Sequence, residues 1–141
     1  MMRPPRPTAA IAVLLACLAA SCSNEAPRTS VTPGTTTGAG MEIQFRSEAD
    51  PPSSGDNTFE VIVAKDGARV SDAEVTATFS MPAMPSMNMP EMHTSATLET
   101  VGDGRYRGTG RLSMAGTWTV RVTVTRNGQE LGTKTLSIVA K

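Results

Sequence analysis

Apolar and polar residues alternate one by one through most of the chain from Met41 onward. In 117–125, for example, Trp118 and three valines alternate with threonines and Arg121. Alternation with a period of two predicts half-buried antiparallel strands, because successive side chains of a strand point to opposite faces of its sheet. The side chains expected on the inward faces are Ile43, Phe45, Phe59, Val61, Val63, Val75, Ala77, Phe79, Trp118, Val120, Val122 and Val124.

Short turn signals separate these segments. The dipeptides at 66–67 and 127–128, Asp-Gly and Asn-Gly, are typical of two-residue hairpin turns, whose central positions adopt positive φ. About seven strands with short connections predict an all-β fold, an immunoglobulin-like or fibronectin-like antiparallel sandwich. Trp118 and Tyr106 are the large side chains expected in its core.

The last strand needs a change of register. Pairing outward from the Asn-Gly turn places Val124 opposite Leu131 with both side chains inward. Strict alternation would then turn Leu136 and Ile138 outward. A β-bulge at Gly132 restores their inward face, because a bulge adds one residue to one strand only.

The strand around Tyr106 carries three arginines on its outward face, namely Arg105, Arg107 and Arg111. They are interpreted either as solvated charges that discourage pairing of a sheet edge or as a stripe that binds a partner. Gly108 and Gly110 face inward on the same strand, and we expect them to leave room for a large side chain such as Trp118.

The beginning of the chain has the pattern of a bacterial export signal. Two arginines precede 9–20, an unbroken apolar run that is shorter than the roughly 20 residues needed to span a bilayer. The run ends in small residues followed by Cys22, which resembles a lipobox in which the cysteine receives the lipid. Cys17 also fits a lipobox, and a plain cleavable signal or an uncleaved anchor is the alternative.

These features divide the chain into three parts. Residues 1–21 are interpreted as a lipoprotein signal peptide, 22–40 as a flexible tether and 41–141 as the β-sandwich. The tether is rich in Ser, Thr, Pro and Gly, and it holds too little apolar surface to offset the entropy of ordering. The expected location is the cell envelope, outside the cytoplasm and anchored to a membrane by lipid, in the periplasm or at the outer surface.

Composition excludes several classes of function. The 141 residues include 13 basic and 13 acidic side chains, so the formal net charge is zero, which argues against nucleic acid as a partner. One histidine and two cysteines cannot build a site of several imidazoles or thiolates. No Ser–His–Asp set and no glycine-rich phosphate loop can be assigned, so we do not expect an enzyme.

Methionine is abundant, and five of the nine methionines lie in one segment. Within 81–93 lie Met81, Met84, Met87, Met89 and Met92, followed directly by His93. Three prolines in the same segment lack an N–H, which predicts a loop or an extended edge segment rather than a helix or a central strand.

Thioether sulfur is a soft, neutral ligand that selects Cu(I), and by the same softness Ag(I), over harder ions. The candidate ligands are Met84, Met87, Met89, Met92 and His93, with Met81 and Met114 as further candidates. A straight extended segment separates residues three apart by roughly 9 Å, too far for one ion. The loop must therefore fold back at Pro85 or Pro90, or the site must take a ligand such as Met114 from elsewhere. The alternatives to metal binding are contact with a partner and plain packing on the sandwich.

Two motifs resemble the YtkA-like domain family, which is related to the FixH-like proteins. They are FSMPAMPSM at 79–87 and GDGRYRGTGRLSMAGTWTVRV at 102–122, and the resemblance extends over about 42–140. It implies an extracytoplasmic β-sandwich, found alone or attached to metal-efflux adaptors, with a link to copper or other heavy metals.

Two functions follow as hypotheses. The first is a membrane-tethered protein that carries or buffers Cu(I) or Ag(I) through its methionine-rich loop. The second is an accessory module without metal, which docks on an envelope transporter, a metal-efflux protein or an oxidase assembly through the same loop or the arginine strand.

Overall fold

The computed structural model describes residues 31–141, and the predicted signal peptide, both cysteines and the first part of the tether lie outside this range. Nine strands account for most of the described residues. They are β1 Val31–Thr37, β2 Met41–Ser47, β3 Gly55–Lys65, β4 Ala68–Arg69, β5 Glu74–Met81, β6 Met92–Gly102, β7 Arg105–Leu112, β8 Gly116–Arg126 and β9 Gln129–Ala140. A single turn of 3-10 helix at Pro85–Met87 interrupts the connection between β5 and β6. No helix in the described part of the chain is long and apolar enough to cross a bilayer.

All neighbouring strands are antiparallel, in the order β1-β9-β8-β5-β6-β7-β3-β2, with β4 paired to β3. β6 joins the two halves of the sandwich, because its first part pairs with β5 and its last part pairs with β7. The two ends of this order, β1 and β2, follow each other in the chain. Across the remaining gap, the Lys134 Nζ of β9 donates to the Ile43 carbonyl of β2 at 2.7 Å. The fold is thus a nearly closed all-β sandwich, as predicted.

The core contains the side chains that the alternation placed inward, and each of them is at most 6% exposed. Three phenylalanines form its centre, with ring centroids 5.3 Å apart for Phe45 and Phe59 and 4.8 Å apart for Phe59 and Phe79. Trp118 and Tyr106 are fully buried, as expected. The inward glycines make room, but a Cβ at Gly110 would lie 2.9 Å from Phe79 and 3.1 Å from Phe59. The large neighbours of Gly110 are therefore phenylalanines rather than Trp118, and Gly108 lies against Thr97 and Leu98.

The structure differs from the sequence analysis at two strands. Residues 31–37, assigned to the tether, form β1 on the outer edge of β9, and with the short β4 they raise the strand count above the predicted seven. The tether prediction is wrong for these residues because an edge strand is held by main-chain hydrogen bonds and does not need an apolar face.

The bulge in β9 lies one residue before the predicted position. Val124 pairs with Gly132 and Thr125 with Glu130, so the extra residue is Leu131. The consequence is the predicted one, since Leu136 and Ile138 are buried.

Candidate metal site

The methionine-rich segment connects β5 to β6 at one end of the sandwich. β5 ends at Met81 and β6 begins at Met92, and these two residues are a cross-strand pair. Their shared inward face continues the row of Val75, Ala77 and Phe79. Strand pairing stops beyond them because the prolines that follow cannot donate to a ladder.

The loop folds back at Pro85. The 3-10 turn Pro85–Met87 is closed by the N–H of Met87 donating to the Met84 carbonyl at 3.0 Å. Asn88 follows in the left-handed conformation, with φ of 52°. Met84 and Met89 then exchange both backbone hydrogen bonds, at 2.9 and 3.1 Å. This tight return is one of the two geometries that the sequence analysis required for a common site.

The structure also adopts the second geometry, because Met114 reaches the same region from the connection between β7 and β8. The buried Trp118 Nε1–H donates to the Met114 carbonyl at 3.0 Å, which ties this connection to the core. Gly116, at the start of β8, has φ of +138°, and a Cβ added there would lie 3.0 Å from the Met81 methyl group. The side chain of Met81 thus lies against the backbone that carries Met114.

Four methionines line one open pocket of about 350 Å³, which we call the methionine pocket. Its methionines are Met81, Met84, Met87 and Met114, and the other lining residues are Pro82, Ala115, Gly116 and Thr117. None of the lining residues carries a charge. Met81 is 2% exposed, Met84 and Met114 are half-buried, and Met87 is 57% exposed. The pocket therefore presents thioethers from its buried floor to its rim.

The remaining candidate ligands do not line this pocket. His93 pairs with Ser80, so the pleat directs its side chain to the outward face, opposite to that of Met81. Its imidazole is 58% exposed and its Nε2 lies 3.1 Å from a Glu91 carboxylate oxygen. Met92 packs against the core beside Met81, and Met89 is half-buried in the loop.

Histidine, cysteine and carboxylate side chains, the other common metal ligands, do not form a cluster in the described part of the chain. Among the described residues, no group of three or more His, Cys, Asp or Glu side chains could hold a metal ion. The methionine pocket thus brings together four of the seven candidate ligands, two of them the further candidates Met81 and Met114.

The arginine stripe of β7 is balanced by carboxylates. Its ion pairs are Arg105–Glu60 at 3.0 Å, Arg107–Glu48 at 2.6 Å and Arg111–Asp56 at 3.4 Å. The hydrogen bond and charge of Arg107 lower the pKa of Glu48, and the carboxylate in turn raises the pKa of Arg107. Binding of a partner by this stripe stays a prediction, and such a partner would have to compete with these carboxylates.

Comparison with known proteins identifies a family and finds similarity to solved structures. A search of curated protein sequences finds no match. The crystal structure of the PmoD soluble domain from Methylocystis sp. ATCC 49242 (Rockwell) is similar with 15% identity and a TM-score of 0.42, over 81% of this chain and 98% of that one. The YtkA-like family matches residues 36–123, which include the methionine-rich loop and the segment from Met114 to Trp118. This match covers more than half of the sequence, and the chain belongs to the YtkA-like family.

Proposed function

We propose that this protein is an extracytoplasmic accessory domain, tethered to a membrane, that carries Cu(I) or Ag(I) in the methionine pocket. The observation that supports this proposal is the convergence of four thioethers from two separate connections on one uncharged pocket. If the methionine-rich loop served only for packing, it would not need a further methionine, Met114, beside it in the connection between β7 and β8.

The chemistry of the donors favours these two ions. Thioether sulfur is soft and neutral, so it prefers Cu(I) and Ag(I), whereas Zn(II) prefers thiolate, imidazole and carboxylate. Thioether sulfur does not take up a proton at ordinary pH, so protons do not compete with the ion and binding should persist in acid. It also does not form disulfides, which suits a compartment in which thiols tend to pair.

The range of exposure within the pocket suits transient binding. Met81 lies on the floor and Met87 on the rim, 2% and 57% exposed. An ion held between them would keep one side open, where a ligand of a partner could replace Met87. We therefore favour a carrier that passes its ion to a partner, rather than a closed site that stores the ion.

A second candidate function is docking without metal. Exposed methionine adapts to irregular apolar surfaces, and Met87 is one of the exposed large apolar side chains of the described chain. In this alternative, the loop seats against an envelope transporter or an oxidase assembly, and the thioethers serve as apolar contacts.

The deciding experiment compares Cu(I) affinities in competition with a colorimetric chelator. A variant with Met81, Met84, Met87 and Met114 all changed to Leu keeps volume and apolarity but has no donor atoms. We expect it to fold and to lose Cu(I) and Ag(I) binding, while Zn(II) binds weakly to both proteins.

The matched control changes the three candidate ligands outside the pocket: Met89→Leu, Met92→Leu and His93→Ala. We expect this variant to bind Cu(I) as the wild type does. Equal loss in both variants would contradict the assignment of the pocket. Absence of Cu(I) uptake by the wild type at micromolar concentration would favour docking, especially if pull-down of a partner also required the pocket methionines.

The anchor is part of the same proposal, although Cys22 lies outside the described residues. We expect the mature chain to begin at a lipid-modified Cys22, because an apolar run ends there and a polar segment follows. Mass spectrometry of the native N-terminal peptide tests this directly. An unmodified Cys22, or lipid on Cys17, would contradict it.

A further inference from the structure

We propose that Trp118 and Gly116 are positioning residues of the methionine pocket. The indole N–H of Trp118 holds the backbone of Met114 in the position in which its side chain can bind the ion. Gly116 leaves room for the thioether of Met81. This inference rests on the proposed function, and it assigns to the Met-x-Gly-x-Trp segment a role in metal binding as well as in the core.

The first observation is the partner of the indole. Trp118 is fully buried, and a buried N–H needs an acceptor because leaving it unpaired is costly. Its acceptor is the carbonyl of Met114, at 3.0 Å. The connection between β7 and β8 is otherwise short and partly exposed. This hydrogen bond therefore anchors the backbone of one proposed ligand to a fully buried side chain of the core.

The second observation concerns the space beside Met81. Gly116 has φ of +138°, a conformation that side chains rarely adopt. A Cβ at this position would lie 3.0 Å from Cε of Met81 and 3.9 Å from its Sδ. A side chain at position 116 would therefore crowd the terminal methyl group of Met81, and the shift of a few tenths of an ångström that relieves this contact would turn the thioether.

Trp118 and Gly116 contact the proposed ligands and not the ion. They would raise the affinity for the ion by holding its ligands in place before it binds. A ligand that is already held in place loses less freedom when the ion binds. Met81 ends β5 and Met114 lies in the connection between β7 and β8, so their relative position depends on the contacts that Trp118 and Gly116 supply.

A double-mutant cycle tests the role of Trp118. The proteins are the wild type, Trp118→Phe, Met114→Leu and the double variant, each loaded with Ag(I) or Cu(I) in chelator competition. Phenylalanine keeps most of the apolar bulk and removes the N–H. We expect Trp118→Phe to weaken binding about fivefold, the equivalent of one hydrogen bond, and to have no further effect once Met114 is Leu.

Two outcomes of the cycle overturn the proposal. If Trp118→Phe weakens binding equally in both backgrounds, the residue acts through the fold in general. If it leaves affinity unchanged while stability falls, its role is structural only. Absence of Ag(I) and Cu(I) binding by the wild type overturns this inference together with the proposed function, whereas normal binding with an uncoupled cycle overturns this inference alone.

A second experiment leaves Trp118 unchanged, so it does not depend on a core variant that fails to fold. The indole N–H of the single tryptophan gives its own signal in a nitrogen–proton NMR spectrum. Titration with Ag(I) should shift this signal in the wild type and leave it in place in Met114→Leu. An indole signal that does not move at saturating Ag(I) would contradict the coupling.

Gly116→Ala tests the second half of the inference, with Gly128→Ala as its matched control. Both glycines have positive φ, but a Cβ at Gly128 meets nothing within 4 Å. Both variants should therefore lose stability through backbone strain, and only Gly116→Ala should also lose Ag(I) affinity. Equal affinities of the two variants would remove Gly116 from the site.

Discussion

The buried side chain of Tyr106 on β7 makes two hydrogen bonds, through its hydroxyl, to the segment between β4 and β5. The hydroxyl donates to the Val70 carbonyl at 2.8 Å and accepts from the Ala73 N–H at 3.1 Å, and the ring that carries it is fully buried. Tyr106→Phe removes both hydrogen bonds and leaves the ring in place. The substitution therefore separates hydrogen bonding from packing at the centre of the sandwich.

The expected loss follows from the surroundings of the two partners. The carbonyl of Val70 belongs to a residue that is 5% exposed, so leaving it unpaired costs about 1–3 kcal/mol. Ala73 is half-buried, and its N–H can reach water, so its contribution is smaller, about 0.5–1 kcal/mol. We expect a loss of about 2–3 kcal/mol in the free energy of unfolding, a large part of the about 5–15 kcal/mol that holds such a domain folded.

Equilibrium unfolding in urea measures this loss, with the fluorescence of the single, buried Trp118 as the signal. With an m-value of about 2 kcal/mol/M, the midpoint should fall by about 1–1.5 M at unchanged m. The matched control on the same strand is Arg107→Ala, an exposed change that should leave the midpoint near that of the wild type. A loss below about 0.5 kcal/mol in Tyr106→Phe would show that Val70 and Ala73 find other partners, and it would refute the reasoning.

Three further predictions concern the core and the outer face. Trp118→Ala should cost about 3–5 kcal/mol in urea unfolding followed by circular dichroism, because removal of a fully buried indole leaves a cavity. Gly110→Ala should cost about 1–3 kcal/mol in the same assay, because its Cβ would lie 2.9 Å from Phe79. Carboxyl NMR should give Glu48 a pKa below the ordinary range, and Arg107→Ala should return it there. Since the folded pKa is lowered, the ion pair stabilises the protein at neutral pH, but only slightly because both side chains are exposed to solvent. This small contribution disappears as pH falls through the pKa of Glu48.

The alternation of side chains predicted the faces of the strands because the pleat allows only one choice once a face is apolar. For this reason the inward rows of β2, β3, β5 and β8 are confirmed residue by residue. The same logic failed for residues 31–37. They are mostly Thr, Gly and Pro, and their place in the sheet depends on main-chain pairing with the free edge of β9. Side-chain patterns carry little information about such a strand.

The position of the bulge shows a second limit of pattern. The apolar residues of β9 required one extra residue between Leu131 and Leu136, and the sequence analysis placed it at Gly132. In the structure, Gly132 is itself paired with Val124, and a Cβ there would lie 2.8 Å from the Thr37 carbonyl of β1. The glycine is thus explained by the close approach of β1. Because β1 was not predicted, the sequence analysis attributed that glycine to the bulge.

The donor set of the candidate site depends on register in the same way. Composition identified the loop, but composition treats Met92 and His93 as neighbours with equal access to an ion. The pairing of Met81 with Met92 separates them, because it turns His93 to the outer face beside Glu91. The structure also shows a turn at Pro85 that folds the loop back and a hydrogen bond from the Trp118 indole to the Met114 carbonyl, neither of which composition indicates. Which side chains form the site decides its metal preference. A site that included the His93 imidazole would also attract Zn(II), and its affinity would fall in acid. A site of thioethers alone would keep its preference for soft monovalent ions at low pH.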